Sequence, residues 1–197
     1  MKAIKPTVKF LLSIFSLLAW ATFCFAQEGN LPRNLSQSLA PEKVIGKASA
    51  TFFRKRNQIT VQVMPLQVYG DLNDGIVMVP NYISWGKKII APKWIDLEFI
   101  SYSEKGPLFL HDRQLLIYLE DKILYSGRLK LSLLKRSSGT PTTEVISQRI
   151  PYSQFVQLTD GAGVKIKIGK IEFTLTQEHL ESLRDLIRIT DAAISFQ

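Results

Sequence analysis

Residues 163–187 read GVKIKIGKIEFTLTQEHLESLRDLI, and this stretch decides the C-terminal part of the fold. Two segments of alternating apolar and polar residues flank Gly169 and Lys170, which is the pattern of a β-hairpin with a two-residue loop. We expect Gly169 to take the positive φ that a type II′ turn requires at its first position. The predicted pairs are Ile168 with Ile171, Ile166 with Phe173, Val164 with Leu175, Lys167 with Glu172 and Lys165 with Thr174. A slip by one residue would mix the apolar and polar faces, so the pattern also predicts the register.

A helix of about residues 177–189 is predicted to follow the hairpin. Thr176 is a suitable N-cap, and Glu178 lies in the first turn, where the helix dipole favours a negative charge. The apolar residues predicted to share one helical face are Leu180, Leu183, Ile187 and Ile194, with Thr190 interrupting them. The predicted ion pairs on the solvent side are Glu181 with Arg184 and Asp185 with Arg188. Every feature of this stretch has an explanation in folding.

Short strand patterns fill most of the chain between residues 50 and 150. Some alternate strictly, such as IDLEF at 95–99, and others are continuously apolar, such as LLIYL at 115–119. The segments are 50–53, 59–64, 66–69, 76–79, 95–99, 115–119, 123–126, 129–133 and 145–150. Short strands with a helix only at the end predict a mainly β protein, an antiparallel sandwich or partly open barrel with one C-terminal amphipathic α-helix.

The first 26 residues have the pattern of a secretory signal peptide. Three lysines precede the apolar run FLLSIFSLLAWATFCFA at 10–26, which is short for a membrane span, and Ala26 is the expected cleavage position. An uncleaved membrane anchor is the alternative. The sequence therefore predicts an exported protein, periplasmic or extracellular, with a polar lead-in at 27–49 and a single β-rich domain at 50–197.

Cys24 is the only cysteine and lies inside the predicted signal segment. Lipidation at Cys24 is not favoured, because Phe23 and Ala21 stand where a lipoprotein signal has a small residue and a leucine. Cleavage after Ala26 would leave a chain without cysteine, which excludes disulfides, thiolate metal sites and cysteine nucleophiles. It would also remove three lysines, so the formal net charge falls from +8 to +5, which is 22 basic minus 17 acidic residues.

The residues typical of catalysis are scarce. His111 beside Asp112 could form a general base oriented by a carboxylate, but neighbouring residues in an extended chain point in opposite directions. His179 falls in the first turn of the predicted helix. The alternation of Asp96 and Glu98 with apolar residues predicts that both carboxylates face solvent. We therefore predict no catalytic residue, no metal site and no cofactor.

Two basic segments next to aromatic residues form the candidate binding site for an anionic ligand. One is the predicted hairpin tip Arg54, Lys55 and Arg56, which follows Phe52 and Phe53; the other surrounds Trp85. The candidate site residues are Arg54, Lys55, Arg56, Trp85, Lys87 and Lys88. The alternative is that these charges only keep strand edges soluble, with the tryptophans in the core.

The segments ISQRIPYSQFVQLTDGAGVKIKIGKIEFTLTQEHLESLRDL, PKWIDLEFIS and LLIYLEDKILYSG resemble the C-terminal part of small secreted bacterial domains of uncharacterised function. The likeness covers residues 92–187 and consists of a strand, the V-x-I-x-I-G turn, a second strand and a leucine-rich helix. It implies a β-sandwich-like fold with a terminal helix and carries over no catalytic residue.

Three functions remain open on this basis. The first is a non-enzymatic β-domain that binds a protein partner in the bacterial cell envelope or supports an assembly there. The second is a binder of anionic lipid, glycan or lipopolysaccharide that uses the hairpin tip and the nearby aromatic residues. The third is a hydrolase that uses His111. A nucleic-acid partner is not favoured, because the modest positive charge singles out no polyanion.

Overall fold

The structure, a computed structural model, describes residues 43–71, 74–137, 140–192 and 194–196. The predicted signal peptide, Cys24 and residues 27–42 of the predicted lead-in lie outside the described residues. The strands are β1 Lys43–Ile45, β2 Ala48–Phe53, β3 Gln58–Val63, β4 Leu66–Gly70, β5 Gly75–Trp85, β6 Trp94–Ser103, β7 Gln114–Leu119, β8 Lys122–Arg128, β9 Lys130–Ser137, β10 Thr140–Pro151, β11 Lys165–Ile168 and β12 Ile171–Thr174. The α-helices are α1 Tyr152–Asp160 and α2 Gln177–Asp191, and Arg54–Arg56 form one 3₁₀ turn.

The strands form two antiparallel sheets arranged as a sandwich and not as a closed barrel. The large sheet has eight strands in the order β1-β2-β3-β5-β6-β10-β9, with β4 paired to β5 beside this path. The small sheet has four strands in the order β12-β11-β7-β8. The prediction of a mainly β antiparallel protein with a C-terminal helix is therefore confirmed, and its sandwich alternative is the correct one.

Alternate residues of both sheets and one face of each helix build a common hydrophobic core. Its largest fully buried side chains include Tyr82, Phe99, Phe109 and Phe155. Helix α2 packs against β1, β2 and β3, and β2 contributes the small side chains of Ala48 and Ala50 as well as Phe52 to the core. Small residues at this contact allow the helix to approach the sheet closely and so complete the layer beside the small sheet.

The C-terminal hairpin has the predicted register. Strands β11 and β12 pair Ile166 with Phe173 and Lys167 with Glu172, so one face is apolar and the other is charged. Gly169 has a φ of +56°, and Lys170 is not among the residues with positive φ, in agreement with a type II′ turn. The Gly169 amide also donates to the carbonyl of Gln114 at 2.9 Å, which fixes the hairpin to β7.

Helix α2 begins where the sequence predicts and ends two residues later, at Asp191. Thr176 is the N-cap: its hydroxyl accepts a hydrogen bond from the amide of His179, and Nδ1 of His179 accepts one from the amide of Thr176, both at 3.2 Å. The two predicted ion pairs are present, at 2.9 Å for Glu181 with Arg184 and 2.8 Å for Asp185 with Arg188.

The predicted organisation needs two corrections. The sequence prediction places a helix only at the end, but α1 follows directly on Pro151 and buries Phe155, Leu158 and Thr159 with helical spacing. The strands also begin before residue 50, because β1 and the start of β2 fall within the predicted lead-in. The turn between them is held from far along the chain, since the amide of Lys47 donates to the Asp185 carboxylate at 2.8 Å.

The chain passes from the small sheet to the large one through a single residue. Strand β8 ends at Arg128, β9 begins at Lys130, and Leu129 between them is buried. The amide of Leu129 donates to the carbonyl of Arg113 at 2.9 Å, just before β7. This corner connects the two layers of the sandwich and fixes the start of β7.

Candidate functional site

The pairing of β3 with β5 brings the two predicted basic segments together. Gln58 at the start of β3 lies opposite Trp85 at the end of β5, and the amide of Gly86 donates to the carbonyl of Asn57 at 2.8 Å. The turn that contains Arg54–Arg56 is therefore next to the segment that contains Lys87 and Lys88. All six predicted site residues have exposed side chains and lie at the same end of the large sheet.

The turn between β2 and β3 is closed by a backbone hydrogen bond, and its three basic side chains are exposed to solvent. Arg54–Arg56 form a 3₁₀ turn, and Asn57 after it has a φ of +50°. The amide of Asn57 donates to the carbonyl of Arg54 at 3.2 Å. Asparagine tolerates this left-handed conformation better than most residues, so the sequence RKRN suits a tight turn with three exposed cations.

The segment with Lys87 and Lys88 is held against the last described residues of the chain. The amide of Phe196 donates to the carbonyl of Lys87 at 2.7 Å, and the amide of Ile89 donates to the carbonyl of Ile194 at 3.0 Å. The ring of Phe196 stacks on that of Phe52, with 5.8 Å between centroids. The backbone of this segment is thus anchored while its two lysine side chains remain in solvent.

Exposed apolar side chains lie among these cations. Trp85 is 69% exposed, Ile90 is 63% exposed and Ile83 is 48% exposed. Trp94 at the start of β6 is 42% exposed, and the ammonium of Lys93 lies 5.7 Å from the centroid of its ring. The alternative prediction that the tryptophans at 85 and 94 belong to the core is therefore wrong.

The strands and turns at this end contain no acidic residue. Neither residues 43–70 nor residues 75–95 include an aspartate or glutamate. We use the name "basic end" for the surface formed by this set: Arg54, Lys55, Arg56, Lys87, Lys88 and Lys93 with Ile83, Trp85, Ile90 and Trp94. The nearest acid along β6, Asp96, is paired with Arg149 at 2.9 Å. The basic end is therefore a cationic surface with an apolar component.

Sequence reasoning missed Ile83 and Ile90. Ile83 lies two residues before Trp85 on β5 and so shares its outward face. The alternation of side chains along a β-strand is the signal that could have predicted this. Ile90 follows the buried Ile89 in the loop after β5, and no local pattern indicates which of the two isoleucines is exposed.

His111 lies at a different place, in a pocket of about 400 Å³ between the start of β7 and the end of β8. The lining residues are His111, Asp112, Arg113, Gln114, Ser126, Gly127 and Arg128. Asp112 accepts a hydrogen bond from the amide of Gln114 at 3.4 Å, and its carboxyl group packs beside Gly169. These contacts of Asp112 are with the backbone of Gln114 and Gly169 and account for its position.

Glu98 corrects the prediction that both carboxylates of β6 face solvent. Asp96 forms an ion pair with Arg149, but Glu98 is only 8% exposed. Burial, with a smaller contribution from the negative charge of Asp96, raises the pKa of Glu98 from 4.5 to about 7. A buried carboxyl group with such a pKa is a candidate acid in an active site. Its cross-strand neighbours are Val79 and Ser147, and the titratable groups close enough to interact with its charge include Asp96 and Tyr102.

Within the described ranges, no three histidine, cysteine, aspartate or glutamate residues lie close enough together to hold a metal ion. In the same part of the chain, neither α1 nor α2 has the length and apolar character needed to cross a membrane. No protein-family model, curated protein or solved structure matches this chain.

Proposed function

We propose that this protein is an exported, non-enzymatic binding component of the bacterial cell envelope and that its basic end contacts anionic lipid surfaces. The observation that carries the proposal is the juxtaposition of Arg54–Arg56 with Trp85–Lys88, two segments that are distant in sequence and adjacent through β3 and β5. The predicted signal peptide supports export to a compartment where phosphate-bearing lipids, including lipopolysaccharide, are exposed.

The composition of the basic end suits a lipid–water interface. Lysine and arginine near an anionic membrane contribute about 1 kcal/mol each at physiological ionic strength. Tryptophan and isoleucine can enter the interfacial region, where an amphipathic indole ring is favourably placed. The anchored backbone of both segments fixes where the cations emerge from the surface, so little backbone freedom is lost on binding.

The experiment is sedimentation of the full chain with vesicles of phosphatidylglycerol and phosphatidylcholine at increasing salt. We expect binding that rises with the phosphatidylglycerol fraction and falls with salt, because exposed charges are screened within about 10 Å at 0.1 M ionic strength. The triple variant Arg54→Ala, Lys55→Ala, Arg56→Ala should lose most of this binding. The matched control removes three exposed lysines elsewhere, Lys105, Lys122 and Lys130.

Loss of equal size in both triple variants would show that only net charge matters and would refute a specific surface. The variant Trp85→Ala tests the apolar component separately. We expect it to weaken binding at high salt more than at low salt, because the apolar contribution is not screened. Binding of soluble anionic glycans with the same variant profile would replace the lipid by a glycan as the ligand.

A protein partner is the second candidate, and the observation that favours it is the edge of the large sheet at β9, which pairs only with β10 among the residues that the structure describes. An edge strand presents backbone donors and acceptors that can pair with an added strand. A photo-crosslinking residue at Ser132 on β9 should capture an envelope protein that the same residue at Lys105 does not capture. Equal capture at both positions would argue against this edge as an interface.

A further inference from the structure

The pocket beside His111 is separate from the basic end. The loop 104–113 that forms one of its walls leaves β6 after Ser103, whereas Trp94 and the basic end lie at the other end of that strand. Its opposite wall is the end of β8, with Ser126, Gly127 and Arg128. At about 400 Å³ the pocket is large enough for a small molecule.

Hydrogen bonds from three directions hold the walls of the pocket. The carbonyl of Arg113 accepts from the amide of Leu129, and the carbonyl of Gln114 accepts from the amide of Gly169, both at 2.9 Å. The loop is anchored further back by Glu144, whose fully buried carboxylate accepts from the amide of Phe109 at 3.0 Å. The pocket is therefore preorganised by backbone contacts that do not involve a ligand.

Two arginines supply the positive charge of the pocket. Arg113 directly precedes β7 and Arg128 ends β8, and both residues line the pocket. Nε of Arg113 is buried without a hydrogen-bond partner among the described residues. Buried polar atoms normally have a partner, and a guanidinium group remains charged at every physiological pH. The carboxyl group of Asp112 is directed to Gln114 and Gly169.

The missing side chain at Gly127 makes room for the ring of Tyr125 behind this wall of the pocket. A Cβ atom at this position would lie 2.7 Å from Oη of Tyr125, closer than two such atoms normally approach. The hydroxyl of Tyr125 is itself fixed, because Nε2 of Gln148 donates to it at 2.7 Å. Any larger residue at 127 would therefore have to displace a bonded tyrosine.

We propose that this pocket binds a small molecule through an oxyanion group, a phosphate or a carboxylate, held by Arg113 and Arg128. The planar guanidinium group matches the geometry of both anions and can donate two parallel hydrogen bonds to either of them. The site is independent of the lipid surface proposed above, since the two share no residue.

The experiment is a titration of the uniformly ¹⁵N-labelled full chain with inorganic phosphate and, separately, with acetate, with sodium chloride replaced to keep the ionic strength constant. We expect saturable shifts of the amide signals of residues 111–114 and 126–128. Arg113→Gln and Arg128→Gln should each weaken the affinity about tenfold or more, as expected for the loss of a charge-assisted contact. Saturation by one probe alone identifies which oxyanion the pocket accepts.

Lys122→Gln, at the other end of the β7–β8 pair, is the charge-matched control and should leave the titration unchanged. Arg128 is exposed, so its variant tests the proposal even where Arg113→Gln disturbs the fold. The proposal is refuted if neither probe gives saturable shifts up to about fifty-millimolar concentration, well above typical KM values. It is equally refuted if the shifts centre on Arg54–Arg56, or if Arg128→Gln binds as the unchanged protein does.

Discussion

Replacing Glu98 with glutamine should stabilise the protein at neutral and alkaline pH. Burial of the Glu98 carboxyl group, and to a smaller extent the charge of Asp96, raises its pKa from 4.5 to about 7 in the folded protein. The folded state therefore holds this proton more tightly than the unfolded state. The stabilisation that comes from this tighter proton binding is fully present below about pH 4.5 and is lost as the pH rises through about 7. This difference in pKa corresponds to about 3 kcal/mol in the free energy of unfolding.

Glutamine has the shape of a protonated glutamate and does not ionise, so Glu98→Gln removes this loss. We expect the variant to match the unchanged protein near pH 4.5 and to exceed it by about 3 kcal/mol above pH 8. Urea unfolding followed by tryptophan fluorescence at several pH values measures the difference. Glu104→Gln, at an exposed position, is the control for the loss of one negative charge. Parallel profiles for Glu98→Gln and the unchanged protein would refute the reasoning.

Three further predictions concern the fold that supports the two sites. Gly169→Val should destabilise the protein by more than about 2 kcal/mol, because φ is +56° and the new Cβ would lie 2.8 Å from the Asp112 carbonyl oxygen. Gly163→Val has a similar φ of +65° with open space around it, so urea unfolding should show a smaller loss; equal losses would mean that the close contact is unimportant. Glu144→Ala should reduce stability by about 3 kcal/mol or more, because the amides of Leu108 and Phe109 lose a buried acceptor. Hydrogen exchange at these two amides should accelerate well beyond that of β6, and unchanged exchange would contradict the anchoring role. Burial lowers the pKa of His179 below 6.5; Lys47 adds to this effect and Glu178 opposes it. The neutral His179 side chain therefore contributes to stability above about pH 6.5, and this contribution is lost as the pH falls below that value. Thermal melts between pH 7.5 and 5 should show this loss in the unchanged protein and not in His179→Ala; identical slopes would exclude His179 as the group responsible.

The features that the sequence predicts correctly depend on residues close together in the chain. The register of β11 with β12 follows from one glycine and from two faces that alternate without a fault, and the structure has that register. The N-cap at Thr176 and the i, i+3 ion pairs of α2 are equally local. In each case a few consecutive residues contain all the interactions that decide the geometry.

The features that sequence reasoning missed depend on distant partners. Helix α1 is short and begins after a proline that ends a strand. Its apolar residues Phe155 and Leu158 are buried by parts of the chain that are distant in sequence, so the local pattern does not identify the helix. Glu98 follows the alternation of a solvent-facing residue, but it is buried in the folded protein, and strand alternation alone does not show which residues are covered by distant parts of the chain. The adjacency of Arg54–Arg56 and Trp85–Lys88 requires β3 to pair with β5 and not with β4, which no local pattern specifies.

The corner at Leu129 also affects how the protein unfolds. Because one buried residue joins β8 to β9, and its amide is bonded to the carbonyl of Arg113, neither layer can detach without extracting the Leu129 side chain and breaking that bond. Partial opening of one sheet alone is therefore disfavoured, and the two layers are expected to behave as one cooperative unit. In native-state hydrogen exchange, the amide of Leu129 should open only with global unfolding, so its exchange rate gives the stability of the whole domain.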